Sequence, residues 1–165
     1  MLPKEHDSAQ VAIDPNFLEI VKSLAASCQR LQSSPAAKCG SARVHRGPAG
    51  IYVFSEEGRN LYVGRSDDVA KRLELHRGGA ENQATFAFRL AREATGNLKP
   101  TYTKAGSRKD LMERDDFKRA FATAKQRIAE MDVRVVAESD PVRQALLEIY
   151  VAVVLKTPYN DFNTT

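Results

Sequence analysis

The chain has 165 residues, 42% hydrophobic and 28% charged, with 25 Lys and Arg against 21 Asp and Glu. That is the composition of one soluble globular domain, and a net charge of +4 permits a polyanion partner without demonstrating one. The longest apolar run, Ile149 to Leu155, has seven residues, where a membrane span needs roughly 20. The opening residues hold no apolar stretch to act as a secretory leader. The two cysteines, Cys28 and Cys39, belong to no CxxC pair. Neither a thiolate zinc site nor a disulfide scaffold is expected, and both are read as reduced thiols of a cytoplasmic protein that does not engage a membrane.

In chain order, residues 1–13 read as a loose tail. Asp14-Pro15 then opens a helix, with Asp14 as its cap and Phe17, Leu18, Val21, Leu24, Ala25, Cys28 and Leu31 at helical spacing; Ser33-Ser34-Pro35 ends it. A stretch punctuated by Gly and Pro, Lys38 to Ala49, leads to two strands, Gly50–Phe54 and Asn60–Gly64. Between them Ser55 to Arg59 reads as a five-residue hairpin loop. A helix is expected from Asp67 to about Arg77, capped by Ser66 and stopped by Gly78-Gly79. Thr85 to Thr95 reads as helical and Gly96 to Gly106 as a loop with room for a short strand. Arg108 to Met131 reads as a long charged helix, with a break near Asp115-Asp116. Val133–Val136 is a short strand, and Pro141 opens a last helix through Leu155, ended by Pro158. This order predicts an α+β fold with a small, three-stranded, mainly antiparallel sheet flanked by helices.

A loop centred on Glu57 places Tyr52 opposite Tyr62, with both phenols on one sheet face and Ile51, Val53, Leu61 and Val63 on the other. On the next helix, Val69 and Leu73 mark the buried side. Arg72 and His76, four apart, share a face beside it, while Lys71 and Glu74 point to solvent. Glu148 interrupts a helix that is apolar almost all round and is therefore expected to be central. A carboxylate there needs a partner: an Arg of the hairpin–helix unit, or a cation, since one carboxylate with waters and phosphate oxygens is a common way to hold Mg²⁺.

These residues resemble the paired motif of the GIY-YIG nucleases. The match runs through Gly50-Ile51-Tyr52 and Tyr62-Val63-Gly64, with Val63 in place of the second Ile, then Arg72 and His76, then Glu148, then Pro158-Tyr159-Asn160. It covers roughly Ala49 to Asn160. The resemblance implies a catalytic domain over residues 46–165, preceded by a tail and helix over residues 1–45, with residues 78–130 as a helical insertion. It implies metal-dependent hydrolysis of DNA phosphodiesters, with RNA left open as a substrate. Arg72 would neutralise charge on the scissile phosphate, and Glu148 would hold one Mg²⁺ or Mn²⁺. Tyr52 or Tyr62 would act as general base or position the water, and His76 would relay a proton or orient its neighbours. Gly50, Gly64 and Asn160 would shape the wall of the site.

Nucleic-acid contacts are expected from Arg65 and Arg46 and from the insertion. Residues 85–130 hold eleven basic and six acidic side chains, with Lys104, Arg108 and Lys109 among the candidates. A protein partner or a homodimer is compatible with the chain. The alternative reading is a non-cutting scaffold of the same architecture that binds nucleic acid or a partner.

Overall fold

The computed structural model describes residues 12–41, 48–98, 105–160 and 162. The elements run α1 (Pro15–Ser33), β1 (Ala37–Lys38), β2 (Gly50–Glu56), β3 (Arg59–Ser66), α2 (Val69–Gly78), α3 (Thr85–Ala94), α4 (Arg108–Glu113), α5 (Asp115–Glu130), β4 (Asp132–Ala137) and α6 (Pro141–Leu155). The sheet has four strands rather than three, in the order β1-β4-β2-β3, and every neighbouring pair is antiparallel. The additional strand, β1, is two residues long and pairs Ala37 with Val133. So short a strand leaves no alternating pattern for a sequence to display. Among the described residues no helix is long and apolar enough to cross a membrane.

The helix boundaries follow from their caps. Asp14 accepts hydrogen bonds from the Asn16 and Phe17 amides at the start of α1. Asp140 accepts from the Arg143 amide at the start of α6. In α2 the cap is Asp68, which accepts from the Lys71 amide at 2.9 Å. The expected cap, Ser66, instead bonds Asp68 itself, its hydroxyl accepting from the Asp68 amide. The charged helix breaks at Arg114, one residue before the expected Asp115-Asp116.

Helices cover both sheet faces. Tyr52, Phe54 and Val133 pack against α2, α3 and α5 through Leu73, Phe86, Phe88, Phe117 and Ile128. Ile51, Val53 and Val63 pack against Leu24 and Leu31 of α1 and Leu147 and Val151 of α6. The described residues of the stretch 78–130 therefore build the core over Tyr52 rather than hang from it. Only one face of α6 meets the sheet. Val142, at 58% exposure, Ile149 and Val153, at 66%, face outward, so α6 is an outer layer and not the central helix that its composition implies.

The hairpin is tighter than expected. Its turn is Glu57-Gly58 alone, both with positive φ, 50° and 75°, as a type I′ turn requires. A bulge follows between Phe54 and Ser55. The register therefore shifts by two: Tyr52 faces Gly64, and Phe54 faces Tyr62. A shift of two preserves the faces, so Tyr52 and Tyr62 still lie together. Leu61, at the bulge, packs with Tyr52 and Phe54 rather than with Ile51 and Val53.

The hairpin register explains Gly64, and the pairing of β2 with β4 explains Gly50. The Tyr52 phenol lies over Gly64, where a Cβ would meet the Tyr52 hydroxyl at 2.3 Å; at Gly50 a Cβ would meet the Val136 carbonyl oxygen at 2.2 Å. Gly64→Ala must push the phenol aside, an overpacking cost of about 1–3 kcal/mol, read as a lowered urea midpoint. Gly78→Ala, with nothing within 4 Å of the new Cβ, stays within about 0.5 kcal/mol of the parent.

Candidate active site

Tyr52 sits deep in the front core, 1% exposed, and His76 beneath it is fully buried. Their link is a hydrogen bond between the Tyr52 hydroxyl and His76 Nε2, 2.8 Å long. Phe54 packs edge-on against both rings, and Tyr62 stacks on Phe86 with centroids 4.7 Å apart. His76 Nδ1 is buried and has no hydrogen-bond partner among the described residues.

Arg72 spans the mouth of this aromatic cluster. Its guanidinium donates to the Gln83 carbonyl oxygen at 2.9 Å and to Thr85 Oγ1 at 3.2 Å. Its charge also lies close enough to both phenols to act on them. Burial raises the Tyr52 and Tyr62 phenols above their ordinary value, and the nearby Arg72 charge offsets only part of that. The phenols of the free protein therefore hold their protons, where base work at neutral pH calls for a lowered phenol. The His76 imidazole is pushed down to about 3 by burial and by the Arg72 charge, which keeps it neutral at pH 7.

Glu148 reaches across from α6 to β3. Arg65 Nε donates to its Oε2 at 3.1 Å, and the Glu148 side chain is 23% exposed. Burial raises the carboxyl and Arg65 lowers it, with burial the larger effect. Glu148 and Tyr62 line one cleft of about 740 Å³, together with Thr85, Arg89, Arg92 and Arg108. Tyr52 does not line it. Of the two tyrosines only Tyr62 is placed to meet a substrate.

Asn160 fixes Tyr62 in place. β3 is an edge strand, and the segment after α6 closes that edge. The Tyr159 amide donates to the Leu61 carbonyl oxygen, Asn160 Oδ1 accepts from the Val63 amide, and Asn160 Nδ2 donates to the Val63 carbonyl oxygen, both at 2.8 Å. The carboxamide at Val63 and the Tyr159 amide at Leu61 together pair the edge on either side of Tyr62, as a neighbouring strand would.

The fold thus brings together Tyr52, Tyr62, Arg72 and His76, packs Gly64 under Tyr52, and sets Glu148 and Asn160 beside Tyr62. Arg65 faces Glu148, Lys109 is exposed and is not a cleft residue, and Arg46 and Lys104 lie outside the described residues. Thr85 went unnoticed in the sequence. Its only signal was the spacing Thr85, Arg89, Arg92 along one helix face. Among the described residues no group of three or more His, Cys, Asp or Glu is placed to hold a metal ion. Two carboxylates among the described residues line the cleft, Glu148 and Glu93, the latter accepting from the Tyr159 hydroxyl; so few fit a cation held mainly by water and phosphate oxygens and not an all-protein cage. No protein-family model, curated protein or solved structure matches the chain.

Because the folded imidazole binds its proton only near pH 3 and the unfolded one near 6.5, the unfolded state takes up more protons between those values. The stability from neutral His76 is complete above pH 6.5 and is lost as pH falls toward 3. The urea midpoint of the parent should drop between pH 7 and pH 5 more than that of His76→Gln, which starts lower but cannot protonate. Asn160→Ala leaves two backbone groups of an edge strand unpaired and should cost about 1–3 kcal/mol in the same measurement.

Proposed function

We propose that the chain is a GIY-YIG-type endonuclease that hydrolyses DNA phosphodiesters with one divalent cation, Mg²⁺ or Mn²⁺. The observation that carries this reading is the meeting of two phenols, a guanidinium and a neutral imidazole in one cluster, with Tyr62 opening onto the cleft that Glu148 lines.

Each group then has a task set by its surroundings. Arg72, its plane held by Gln83 and Thr85, presents a fixed cation to the scissile phosphate and stabilises the charge that builds there. Tyr62 orients the attacking water through its hydroxyl. His76 holds the Tyr52 hydroxyl, and Tyr52 supports the Tyr62 ring and does not touch substrate. Glu148 is the residue that would hold the cation. When bound, the cation supplies Lewis-acid polarisation of the phosphate and charge for the leaving oxygen. Asn160 keeps Tyr62 on the cleft wall.

One observation favours the non-cutting alternative: Glu148 is already ion-paired with Arg65. Incubation of the pure protein with linear, supercoiled, single-stranded and branched DNA, with Mg²⁺, Mn²⁺ or EDTA, separates the two. A nuclease cuts only with metal, and Glu148→Ala and Arg72→Ala each lower the rate by about 10²-fold or more while circular dichroism stays native. Tight binding of DNA without cutting by the parent would establish the scaffold reading instead.

A further inference from the structure

Among the described residues, the large apolar side chains left in solvent fall into two groups. One group lies on α1 and α6, with Ile13 just before α1. The other is Leu98, 68% exposed, and Phe162, 54% exposed. Leu98 follows α3 and Phe162 follows α6, yet both line the cleft onto which Tyr62 opens. A single exposed apolar side chain is ordinary, but apolar side chains from distant parts of the chain that converge on one polar cleft mark a binding surface.

Tyr159 lines the same cleft and is held at three points. Its amide donates to the Leu61 carbonyl oxygen at 3.1 Å, its carbonyl oxygen accepts from Arg89, and its hydroxyl donates to Glu93. Its ring packs on Phe86 with centroids 5.3 Å apart, and Phe86 stacks on Tyr62 with planes 13° apart. A run of rings therefore leads from Tyr62 to Tyr159 along the cleft. Charged side chains stand beside these rings, Glu148 and Arg108 among them. The ligand that suits such a cleft is flat and apolar in one part and charged in another. The cleft volume of about 740 Å³ falls in the range of roughly 300–1,000 Å³ that holds one small molecule, the scale of a nucleotide and not of a duplex. An apolar peptide side chain would bring nothing to the charged groups, whereas a nucleotide carries a base and a phosphate together.

We infer that Tyr159, Phe162 and Leu98 form a platform for one unpaired base, so that the DNA this chain acts on carries an unpaired nucleotide in the cleft: a single strand, a flap or a branch point. In a duplex the base faces are covered by their neighbours in the stack. An unpaired base exposes a face that aromatic side chains can cover whatever its sequence. The three bonds on Tyr159 fix its place before a ligand arrives, which lowers the ordering cost of binding. This names the substrate class of the proposed nuclease and rests on that reading for the cutting, while base binding is measured without it.

The test measures binding by anisotropy in EDTA, where nothing is cut. The probes are a fluorescein-labelled single DNA strand and a strand of the same length whose sugars carry no bases. The parent should bind the first at least about fivefold more tightly, the lower end for one base stacked on an aromatic side chain. Phe162→Ala and Tyr159→Leu should each narrow that gap, and Phe162→Tyr, which keeps a ring, should restore it. The slope of log K against log salt should stay at the parent's value in Phe162→Ala, because no phosphate contact is lost. Val153→Ala removes an equally exposed apolar side chain that does not line the cleft and should leave the gap unchanged. Thermal unfolding reports whether each variant is folded, and Phe162, half in solvent, can be truncated without opening the core. Equal binding of the two strands by the parent, a gap unchanged in folded Phe162→Ala, or one narrowed as much by Val153→Ala overturns the platform. No binding of either strand overturns it as well and leaves the apolar side chains to a protein partner. Cutting is scored separately in Mg²⁺. A gap without cutting of any DNA keeps the platform and rejects the nuclease, and cutting without a gap does the reverse. Where the parent cuts, single-stranded or branched DNA should be cut faster than linear duplex, and equal rates overturn the substrate class.

Discussion

A phenol hydroxyl buried in an aromatic core needs a hydrogen bond, and the arrangement of the front layer follows from meeting that need for Tyr52. An unpaired buried hydroxyl costs about 1–3 kcal/mol, a large share of the stability of a domain this size. His76 provides the bond, and to do so α2 must lay its inner face directly under the hairpin. The phenol needs space on the sheet, which Gly64 leaves by having no Cβ. The imidazole must be neutral, and its burial beside the Arg72 charge keeps it so. One hydrogen bond thus accounts for a glycine in β3, the seat of α2 and the protonation state of the only described histidine.

The second constraint is the open edge of β3. An edge strand exposes amides and carbonyls, and here those groups flank Tyr62, the phenol that faces the cleft. The turn after α6 brings Asn160 to this edge, and Thr157 in turn donates its hydroxyl hydrogen bond to Asn160 Oδ1 at 2.8 Å. The left-handed backbone of Lys156, φ 52°, ends α6 and starts the chain on this course. A residue remote in sequence and without reactive chemistry therefore decides how rigidly Tyr62 is held. Such rigidity matters for any role in positioning water, because misplacement by about 1 Å can cost 10²-fold in rate.

Much of this was legible because it depends on local chemistry. Asp14-Pro15 and Asp140-Pro141 marked helix starts, Gly79 a helix end, and the alternation along Gly50–Phe54 put Tyr52 and Tyr62 on one face. The hairpin register was not legible, because its turn places a glutamate at positive φ, and no composition rule signals Glu57 there. The expectation for α6 failed for a different reason. Apolar residues around a whole helix ordinarily mark a central one, but Val142, Ile149 and Val153 face outward from an outer layer. The site residues were read from spacing, and their contacts were not. Nothing in the sequence says that Glu148 meets Arg65 rather than Arg72, since that depends on how α6 crosses β3.

The division between Arg72 and Arg65 bears on the chemistry. Arg72 is held by a carbonyl and a hydroxyl and lies beside two phenols that are neutral at pH 7, so none of these groups cancels its positive charge. Arg65 is committed to a carboxylate that burial would otherwise drive toward the neutral acid. Without Arg65, Glu148 would lose negative charge as its pKa rose, and a neutral carboxyl is a poor cation ligand. Arg65 opposes that shift at the cleft edge, but a cation must share the carboxylate with a guanidinium. The ion pair is therefore compatible with a weak site that fills only when phosphate oxygens arrive to complete it.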